Sequence, residues 1–193
     1  FPVSFGINLD KFKISEKQEV ENAAFHIGAM NWMPNEEGIK WFLKEVFPLL
    51  HQHLPDLKIY LAGREMPDWL TNLNTKNIEV LGEVEDALDF IASNAIEVVP
   101  LFSGSGIRIK IIEGMAMGKA VVSTSIGAEG INVEHGKNIM LADDPESFYE
   151  AIKKCVDNRE YCIELEANAK QLIEKDHDNK KLIKKLEKFY QSI

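Results

Sequence analysis

Short apolar segments alternate with segments of helical spacing along most of this chain. We predict strands at residues 22–29, 57–62, 77–81, 95–101, 120–123 and 138–142. Helices are predicted at residues 34–50, 67–73, 86–93 and 107–117, and two or three more follow Asp144, with breaks near Asn158 and Asp176. Strands that alternate with helices form parallel sheets. The order therefore predicts a Rossmann-like three-layer α/β/α fold with a six-stranded, mostly parallel sheet and additional C-terminal helices.

One segment fits two kinds of secondary structure. Residues 107–111 alternate between apolar and charged side chains, which is also typical of a strand. We predict a helix because the segment lies between two strong strands and continues through Glu113, Met115 and Met117, which are good helix formers.

Charge and composition exclude several classes of function. The 193 residues include 22 basic and 31 acidic side chains, a net charge of −9, which argues against general nucleic-acid binding. No apolar run approaches the roughly 20 residues that span a bilayer. Cys155 and Cys162 are too few for a disulfide scaffold or a zinc site, and free thiols suit a reducing cytosol. Residues 170–193 are rich in lysine, so the acidic body ends in a cationic helix.

The loop at residues 103–106 is the strongest candidate binding site. It follows a predicted buried strand, and parallel α/β sheets bind ligands at the carboxyl ends of their strands. The small residues Gly104, Ser105 and Gly106 let backbone N–H groups approach a ligand, and the positive end of the next helix favours an anion. A phosphate or diphosphate is the expected ligand; an ordinary strand-to-helix turn is the alternative.

Two cations follow this loop where the helix dipole disfavours them. A diphosphate bound by Arg108 and Lys110 would offset that cost. The alternative is a solvated pair, with Lys110 bridging Glu113 three residues later. Glu113 lies in a largely buried stretch and needs Lys110 or ligand hydroxyls as partners. Arg64 follows the second strand and faces the same crevice, with an exposed loop arginine as the alternative.

Other polar and aromatic residues point to no catalytic site. We interpret His26 as a core residue with a satisfied hydrogen bond and Trp32 as a packing anchor, and the pattern does not explain Glu97. The histidines lack metal-ligand spacing, and no nucleophile motif or joined pair of catalytic carboxylates is found. We therefore assign no catalytic residue and expect no metal.

Several segments, taken in order, resemble one large protein family. The segments are IGAMNWMPNEEGIKWFLKEVFP, LKIYLAGR, IEVLGEVED, AIEVVPLFSGSG, IRIKIIEGMAMGKAVVSTSIGAEGI and EHGKNIMLADDPESFYEAI. The stretch from 28 to 152 resembles the C-terminal, donor-binding domain of retaining glycosyltransferases of family 4 (group 1), which have the two-domain GT-B fold. FPVSFGINLDKF at the start is similar to the interdomain segment of that family.

The resemblance implies a domain organisation and an activity. Residues 1–21 would be a remnant of the interdomain segment, and residues 22–157 a nucleotide-sugar-binding domain. Residues 158–193 would be helices that pack on this domain or on a missing N-terminal, acceptor-binding half. The whole enzyme would transfer a sugar, with retention, from a nucleoside diphosphate sugar to a polysaccharide or lipid-type acceptor. The fragment alone would be inactive, and no cofactor is implied.

The resemblance also assigns roles to the candidate residues. Glu113 matches the second of two signature glutamates and would bind the donor ribose. The first signature glutamate contacts the donor sugar in relatives, and this chain has Ser105 at that position. One subgroup of the family also lacks that glutamate. This chain matches the pattern of the subgroup at Gly104, Gly106, Arg108, Lys110 and Glu113. Relatives hold the diphosphate with an arginine and a lysine after the first strand, where this chain has no cation, so Arg108, Lys110 or Arg64 is expected to take over.

Two other functions fit the same features. A sugar-nucleotide epimerase shares the GT-B fold, but the sequence shows no convincing acid/base cluster for that reaction. A non-catalytic nucleotide-binding domain is the alternative suggested by Ser105. A cytoplasmic location is expected, with the basic C-terminal helix on the missing half or at the inner face of the membrane.

Overall fold

A computed structural model of the chain describes residues 3–12 and 20–192. Within these residues the sheet has the strands β1 (Val20–Ile27), β2 (Lys58–Ala62), β3 (Ile78–Gly82), β4 (Asn94–Val99), β5 (Ala120–Ser123) and β6 (Met140–Leu141). They lie in the order β3-β2-β1-β4-β5-β6, and every neighbouring pair is parallel. The prediction of a six-stranded Rossmann-like sheet is confirmed, and the sheet is wholly parallel.

Helices occupy the connections between strands and the C-terminal part of the chain. They are α1 (Met33–Trp41), α2 (Phe47–His53), α3 (Asp68–Thr71), α4 (Ala87–Ala92), α5 (Ile109–Ala116), α6 (Pro145–Asp157), α7 (Arg159–Asp176) and α8 (Asn179–Gln191). Asp144 caps α6 through a capping box with Ser147, which is the start predicted from the Asp-Pro-Glu sequence. Asn158 caps α7, so the predicted break there is confirmed.

The strand order reverses between β1 and β4. After β1 the chain moves outward through β2 and β3, and it then returns to place β4 on the other side of β1. Such a switch point opens a crevice at the carboxyl ends of the two strands, where α/β proteins commonly bind ligands. The loop between β4 and α5, which contains the predicted binding residues 103–106, borders this crevice.

Helical layers cover both faces of the sheet. All six residues of β4 are buried, as strands between two helical layers require. On one face, Phe148 of α6 packs against Phe42, with ring centroids 6.0 Å apart. On the other face, Ile112 of α5 belongs to the same apolar cluster as Val121 of β5. The central strands therefore form a rigid base from which the loops of the crevice extend.

The helix predicted at residues 34–50 is continuous but irregular. α1 passes through a π-helical turn at Phe42–Val46 into α2. Pro48 lies in the first turn of α2, and its missing N–H removes one hydrogen bond to the preceding turn. A π turn is a recognised way for a helix to pass such an interruption.

The helix predicted at residues 107–117 begins later than expected. Arg108 is extended, with φ −84° and ψ 95°, and is the N-cap of α5. The helix therefore starts at Ile109, and Arg108 lies before its first turn instead of within it. The strand alternative for residues 107–111 is wrong. β4 ends at Val99, two residues earlier than predicted, because Pro100 has no N–H for a continuing ladder.

The N-terminal segment packs on the junction of α7 and α8. The backbone N–H of Ile7 donates to the carbonyl oxygen of His177 at 2.8 Å, and Lys180 pairs with Asp10 at 2.6 Å. Residues 1, 2 and 13–19 of the predicted interdomain segment lie outside the described residues, so the domain boundaries stay predictions. No helix in the described parts of the chain is both long and apolar enough to cross a membrane.

Candidate functional site

The backbones after β1 and β2 approach each other closely at the crevice. The N–H of Gly28 donates to the carbonyl oxygen of Ala62 at 3.0 Å. A Cβ atom on Gly63 would overlap the carbonyl oxygen of Gly28. Glycine at position 63 therefore lets the strand ends meet without a side chain between them.

The loop predicted to bind an anion is exposed and contains two left-handed glycines. Gly104 has φ +100° and Gly106 has φ +85°, and residues 103–106 are all exposed. A Cβ atom on Gly104 would lie 3.1 Å from the Trp32 ring and 3.3 Å from Nη2 of Arg108. The loop therefore lies against Trp32, the N-cap residue of α1, and its backbone is exposed to solvent.

Arg108 is buried beneath this loop, with only 5% of its surface exposed. Its Nη1 donates to the carbonyl oxygen of Gly106, and its guanidinium lies 5.6 Å from the centroid of the Trp32 ring. Among the described residues, Nε and Nη2 of Arg108 have no hydrogen-bond partner. Buried donors without partners are costly, and an anion is the ligand that a guanidinium would best accept here.

Lys110 turns toward β1 and α1. Its Nζ donates to Oδ1 of Asn35 at 2.9 Å and lies 3.4 Å from Nε2 of His26. Burial lowers the pKa of Lys110, and the Arg108 charge adds to this effect while Glu97 opposes it. Lys110 thus contacts Asn35 and His26. It is not the solvated partner of Glu113 that the alternative described.

His26 is fully buried and hydrogen-bonded, as predicted for a core residue. Its Nδ1 lies 2.8 Å from the carbonyl oxygen of Val98. Because a carbonyl oxygen only accepts, Nδ1 carries the proton and Nε2 presents a lone pair. Burial holds the pKa of His26 well below its ordinary value, and the charge of Lys110 lowers it further. His26 is thus a neutral acceptor beside the Lys110 ammonium.

Glu97 of β4 is a buried carboxyl group near these cations. It is fully buried, and neither of its carboxyl oxygens has a hydrogen-bond partner in the described part of the chain. A Cβ atom on Gly114 of α5 would overlap Oε2 of Glu97. Burial raises the pKa of Glu97, Lys110 opposes the rise and Glu113 adds to it. Glu97 was unexplained by the sequence, and the structure places it under the first turns of α5.

Glu113 and Arg64 lie on different elements of the fold. Glu113 of α5 is half-buried, and burial raises its pKa. Arg64 is exposed and lies after β2, on the far side of β1 from Arg108. It lines a cleft of about 220 Å³ together with Gly28, Gly63 and Glu83. This volume is below the roughly 300–1,000 Å³ of pockets that enclose small-molecule ligands.

Sequence reasoning missed Asn35 as a site residue. Its Nδ2 donates to the carbonyl oxygen of Ala29 at 2.9 Å, and its Oδ1 accepts from Lys110. Pro34 and Asn35 had indicated only a helix start, although a buried asparagine needs partners for both ends of its amide. Over residues 3–12 and 20–192, no three His, Cys, Asp or Glu side chains are grouped as metal ligands would be.

A family model described as glycosyl transferases group 1 matches residues 21–158 of the chain. An uncharacterised 44.6 kDa protein in the cps region of Klebsiella pneumoniae is 29% identical over 191 residues, which cover 94% of this chain and 48% of that protein. An uncharacterised glycosyltransferase of Methanocaldococcus jannaschii is 30% identical over 124 residues, or 62% of this chain and 34% of that protein. The chain thus spans about half the length of its Klebsiella relative.

Solved structures with the same fold include glycosyltransferase domains. The C-terminal domain of the group 1 glycosyl transferase LpcC from Francisella tularensis superimposes with a TM-score of 0.74 at 16% identity, covering 90% of this chain and 100% of that domain. HepE from Anabaena in complex with UDP gives a TM-score of 0.75 at 15% identity, covering 97% of this chain and 56% of HepE. At these identities the likeness shows the fold alone.

Proposed function

This chain belongs to the glycosyl transferases group 1 family, and on that premise we propose that it is the donor-binding half of a glycosyltransferase. It binds a nucleoside diphosphate sugar in the crevice between β1 and β4. Together with an N-terminal acceptor-binding half, it transfers the sugar with retention to a hydroxyl group of a polysaccharide or lipid-type acceptor. The chain covers about half of a relative's length, which supports a partner half.

The buried guanidinium of Arg108 is the observation that carries this proposal. Arg108 is 5% exposed, and two of its nitrogen atoms have no partner among residues 3–12 and 20–192. Each unsatisfied buried donor costs roughly 1–3 kcal/mol, and more where the group is charged. A diphosphate oxygen would accept from the guanidinium, and the exposed backbone of Gly104 and Gly106 supplies further N–H groups beside it.

Each residue has a role in this proposal. Arg108 and Lys110 bind the diphosphate and stabilise the negative charge that develops on it as the sugar leaves. Glu113 accepts hydrogen bonds from the ribose hydroxyls, and Ser105 lies beside the donor sugar. Arg64, exposed after β2, is the further cation proposed to bind the diphosphate of the donor. No residue of this half is assigned as a catalytic base or nucleophile, and no metal or cofactor is proposed.

We place the protein in the cytoplasm, with the basic C-terminal helix either on the missing half or at the inner face of the membrane. The free, buried thiols of Cys155 and Cys162 support a reducing compartment. The lysine-rich α8 supports contact with an anionic surface or with the missing half. No nucleic-acid partner is proposed.

Calorimetric titration of this chain with UDP, GDP and ADP tests the proposal. We expect weak binding of at least one nucleoside diphosphate and no sugar transfer by this half alone. Arg108→Met should weaken that binding by about 10- to 100-fold, because hydrogen bonds to charged groups are lost. Lys44→Met removes a cation whose side chain is 81% exposed and should leave the affinity unchanged. Failure of the unsubstituted chain to bind any nucleoside diphosphate would overturn the proposal.

A non-catalytic nucleotide-binding domain is the second candidate, and Ser105 favours it. A serine cannot replace the charge of the glutamate that contacts the donor sugar in relatives. If the complete protein binds a nucleoside diphosphate but neither transfers nor hydrolyses the sugar of any UDP-, GDP- or ADP-sugar, this second candidate holds. Formation of an epimer from such a donor would instead indicate a sugar-nucleotide epimerase.

A further inference from the structure

The ammonium group of Lys110 is held from two sides by residues distant in sequence. Oδ1 of Asn35, in the first turn of α1, lies 2.9 Å from Nζ, and Nε2 of His26, in β1, lies 3.4 Å from it. Asn35 and His26 are 3% and 0% exposed. A lysine at the start of a helix ordinarily points to solvent, so its inward orientation here depends on these two acceptors.

Both acceptors are themselves fixed by backbone hydrogen bonds. Nδ2 of Asn35 donates to the carbonyl oxygen of Ala29 at 2.9 Å, so the amide can present only its oxygen to Lys110. Nδ1 of His26 donates to the carbonyl oxygen of Val98 at 2.8 Å, so the ring presents its unprotonated Nε2. The network therefore runs from the β1–α1 turn through Asn35, Lys110 and His26 to β4, and each member has one defined orientation.

The Nζ atom of Lys110 lies beside the turn that follows β1. A Cβ atom on Gly28, directly after β1, would lie only 2.6 Å from Nζ. An ammonium has three N–H donors, and two of them are directed at Asn35 and His26. The third is available to a ligand that approaches the turn between β1 and α1.

We propose that Asn35 and His26 are positioning residues, which hold the Lys110 ammonium at the β1–α1 turn so that it can bind the diphosphate of the donor. The inference rests on the proposed function. The inference explains how a cation from α5 can bind a ligand at the turn after β1. The chain has no cation of its own there, between Gly28 and Glu37. Neither residue contacts the reacting atoms, so both act through Lys110.

Charged neighbours make such positioning necessary. Arg108 disfavours the charged form of Lys110, whereas Glu97, facing it from β4, favours that form. A flexible lysine could lower its energy by leaving this buried site for solvent, and the two acceptors oppose that movement.

A double-mutant cycle tests the proposal. Calorimetry would measure the affinity for UDP, or for whichever diphosphate the unsubstituted chain binds, in Asn35→Leu, His26→Gln, His26→Asn and Lys110→Met. Asn35→Leu should weaken binding by about ten-fold because one hydrogen bond to a charged group is lost. His26→Gln keeps an acceptor for Lys110 and should lose less affinity than His26→Asn, which keeps only the bond to Val98. In the Lys110→Met background, neither Asn35 nor His26 substitution should change the affinity further.

A second measurement needs neither ligand nor substitution of the two positioning residues. Nitrogen-15 NMR of the His26 ring should show a protonated Nδ1 and a bare Nε2, and Lys110→Met should move the Nε2 resonance toward that of an unbonded nitrogen. An unmoved Nε2 resonance would overturn the inference, as would equal affinity losses for the Asn35 and His26 variants with and without Lys110. Absence of any diphosphate binding by the unsubstituted chain would instead overturn the proposed function, and the NMR result would still decide whether His26 binds Lys110.

Discussion

Gly114 of α5 faces the buried carboxyl group of Glu97 so closely that a Cβ atom on Gly114 would overlap Oε2 of Glu97. α5 carries Lys110 and Glu113, and β4 carries Glu97. The absence of a side chain at position 114 therefore sets how closely the helix of the candidate site approaches the sheet.

This relationship predicts strong coupling between the two positions. Gly114→Ala alone should lower the free energy of unfolding by about 1–3 kcal/mol, because the added methyl group overpacks the interface. In a Glu97→Val background the space is available, and the same substitution should raise stability by about 0.5–1 kcal/mol, as alanine does over glycine within a helix. Urea unfolding of the four chains measures the coupling. Equal effects of Gly114→Ala in both backgrounds would contradict the packing described.

The Glu97 carboxyl group should also make stability depend on pH. Burial raises its pKa from 4.5 to about 8, against the opposing effect of Lys110. Because the folded state holds this proton more tightly than the unfolded chain, the stability from protonated Glu97 is complete below pH 4.5 and is lost as the pH rises to about 8. Glu97→Gln stays neutral at every pH. The free energy of unfolding of this variant, relative to that of the unsubstituted chain, should therefore increase across this window by roughly 2–4 kcal/mol. Parallel stability curves for the two chains from pH 5 to pH 8 would show that Glu97 does not titrate there.

Much of the fold follows from local sequence features. Apolar runs that stop at glycines, such as those before Gly63 and Gly82, marked strands of a parallel sheet, and the Asp144 cap marked α6. The start of α5 could not be predicted in this way. Arg108 is the extended N-cap residue of α5, and its guanidinium lies against Trp32 and the Gly106 carbonyl group, a contact that exists only after the chain has folded.

The candidate site was predictable in its loop and cations but not in its network. Arg108 and Lys110 are recognisable beside the glycine-rich loop in sequence. Asn35, however, lies 75 residues before Lys110, and no spacing rule joins residues from different βα units. Glu97 likewise had no explanation until the fold placed it against α5. Local patterns predict elements and backbone loops, whereas buried polar contacts depend on tertiary packing.

Gly28→Ala should displace the Lys110 ammonium without straining the backbone. The new Cβ atom would lie 2.6 Å from Nζ of Lys110 and 2.7 Å from Nδ2 of Asn35, and Gly28 is not among the glycines with positive φ. Both contacts are with hydrogen-bonded side chains and not with backbone, so the added methyl group should break the bond between Lys110 and Asn35, at a cost of about 1–3 kcal/mol, without unfolding the domain. Affinity for the diphosphate should fall by about ten-fold, as for the loss of a charged hydrogen bond. Asn74→Ala, at an exposed position before β3, is the control, and unchanged affinity in Gly28→Ala would argue against a role for the Lys110 position.

The proposed ribose contact of Glu113 can be separated from a general effect of its charge. Glu113 is half-buried, with a pKa raised by burial, so its substitution by alanine removes a costly group and should not unfold the domain. If Glu113 accepts hydrogen bonds from the ribose, the unsubstituted chain should bind UDP about ten-fold more tightly than a UDP analogue that lacks both ribose hydroxyls. Glu113→Ala should bind the two ligands equally, because the discriminating acceptor is gone, whereas Glu129→Ala, an exposed acidic control, should keep the preference. Calorimetry with both ligands makes the comparison. A Glu113→Ala variant that still prefers UDP over the analogue by the same factor would show that another residue binds the ribose.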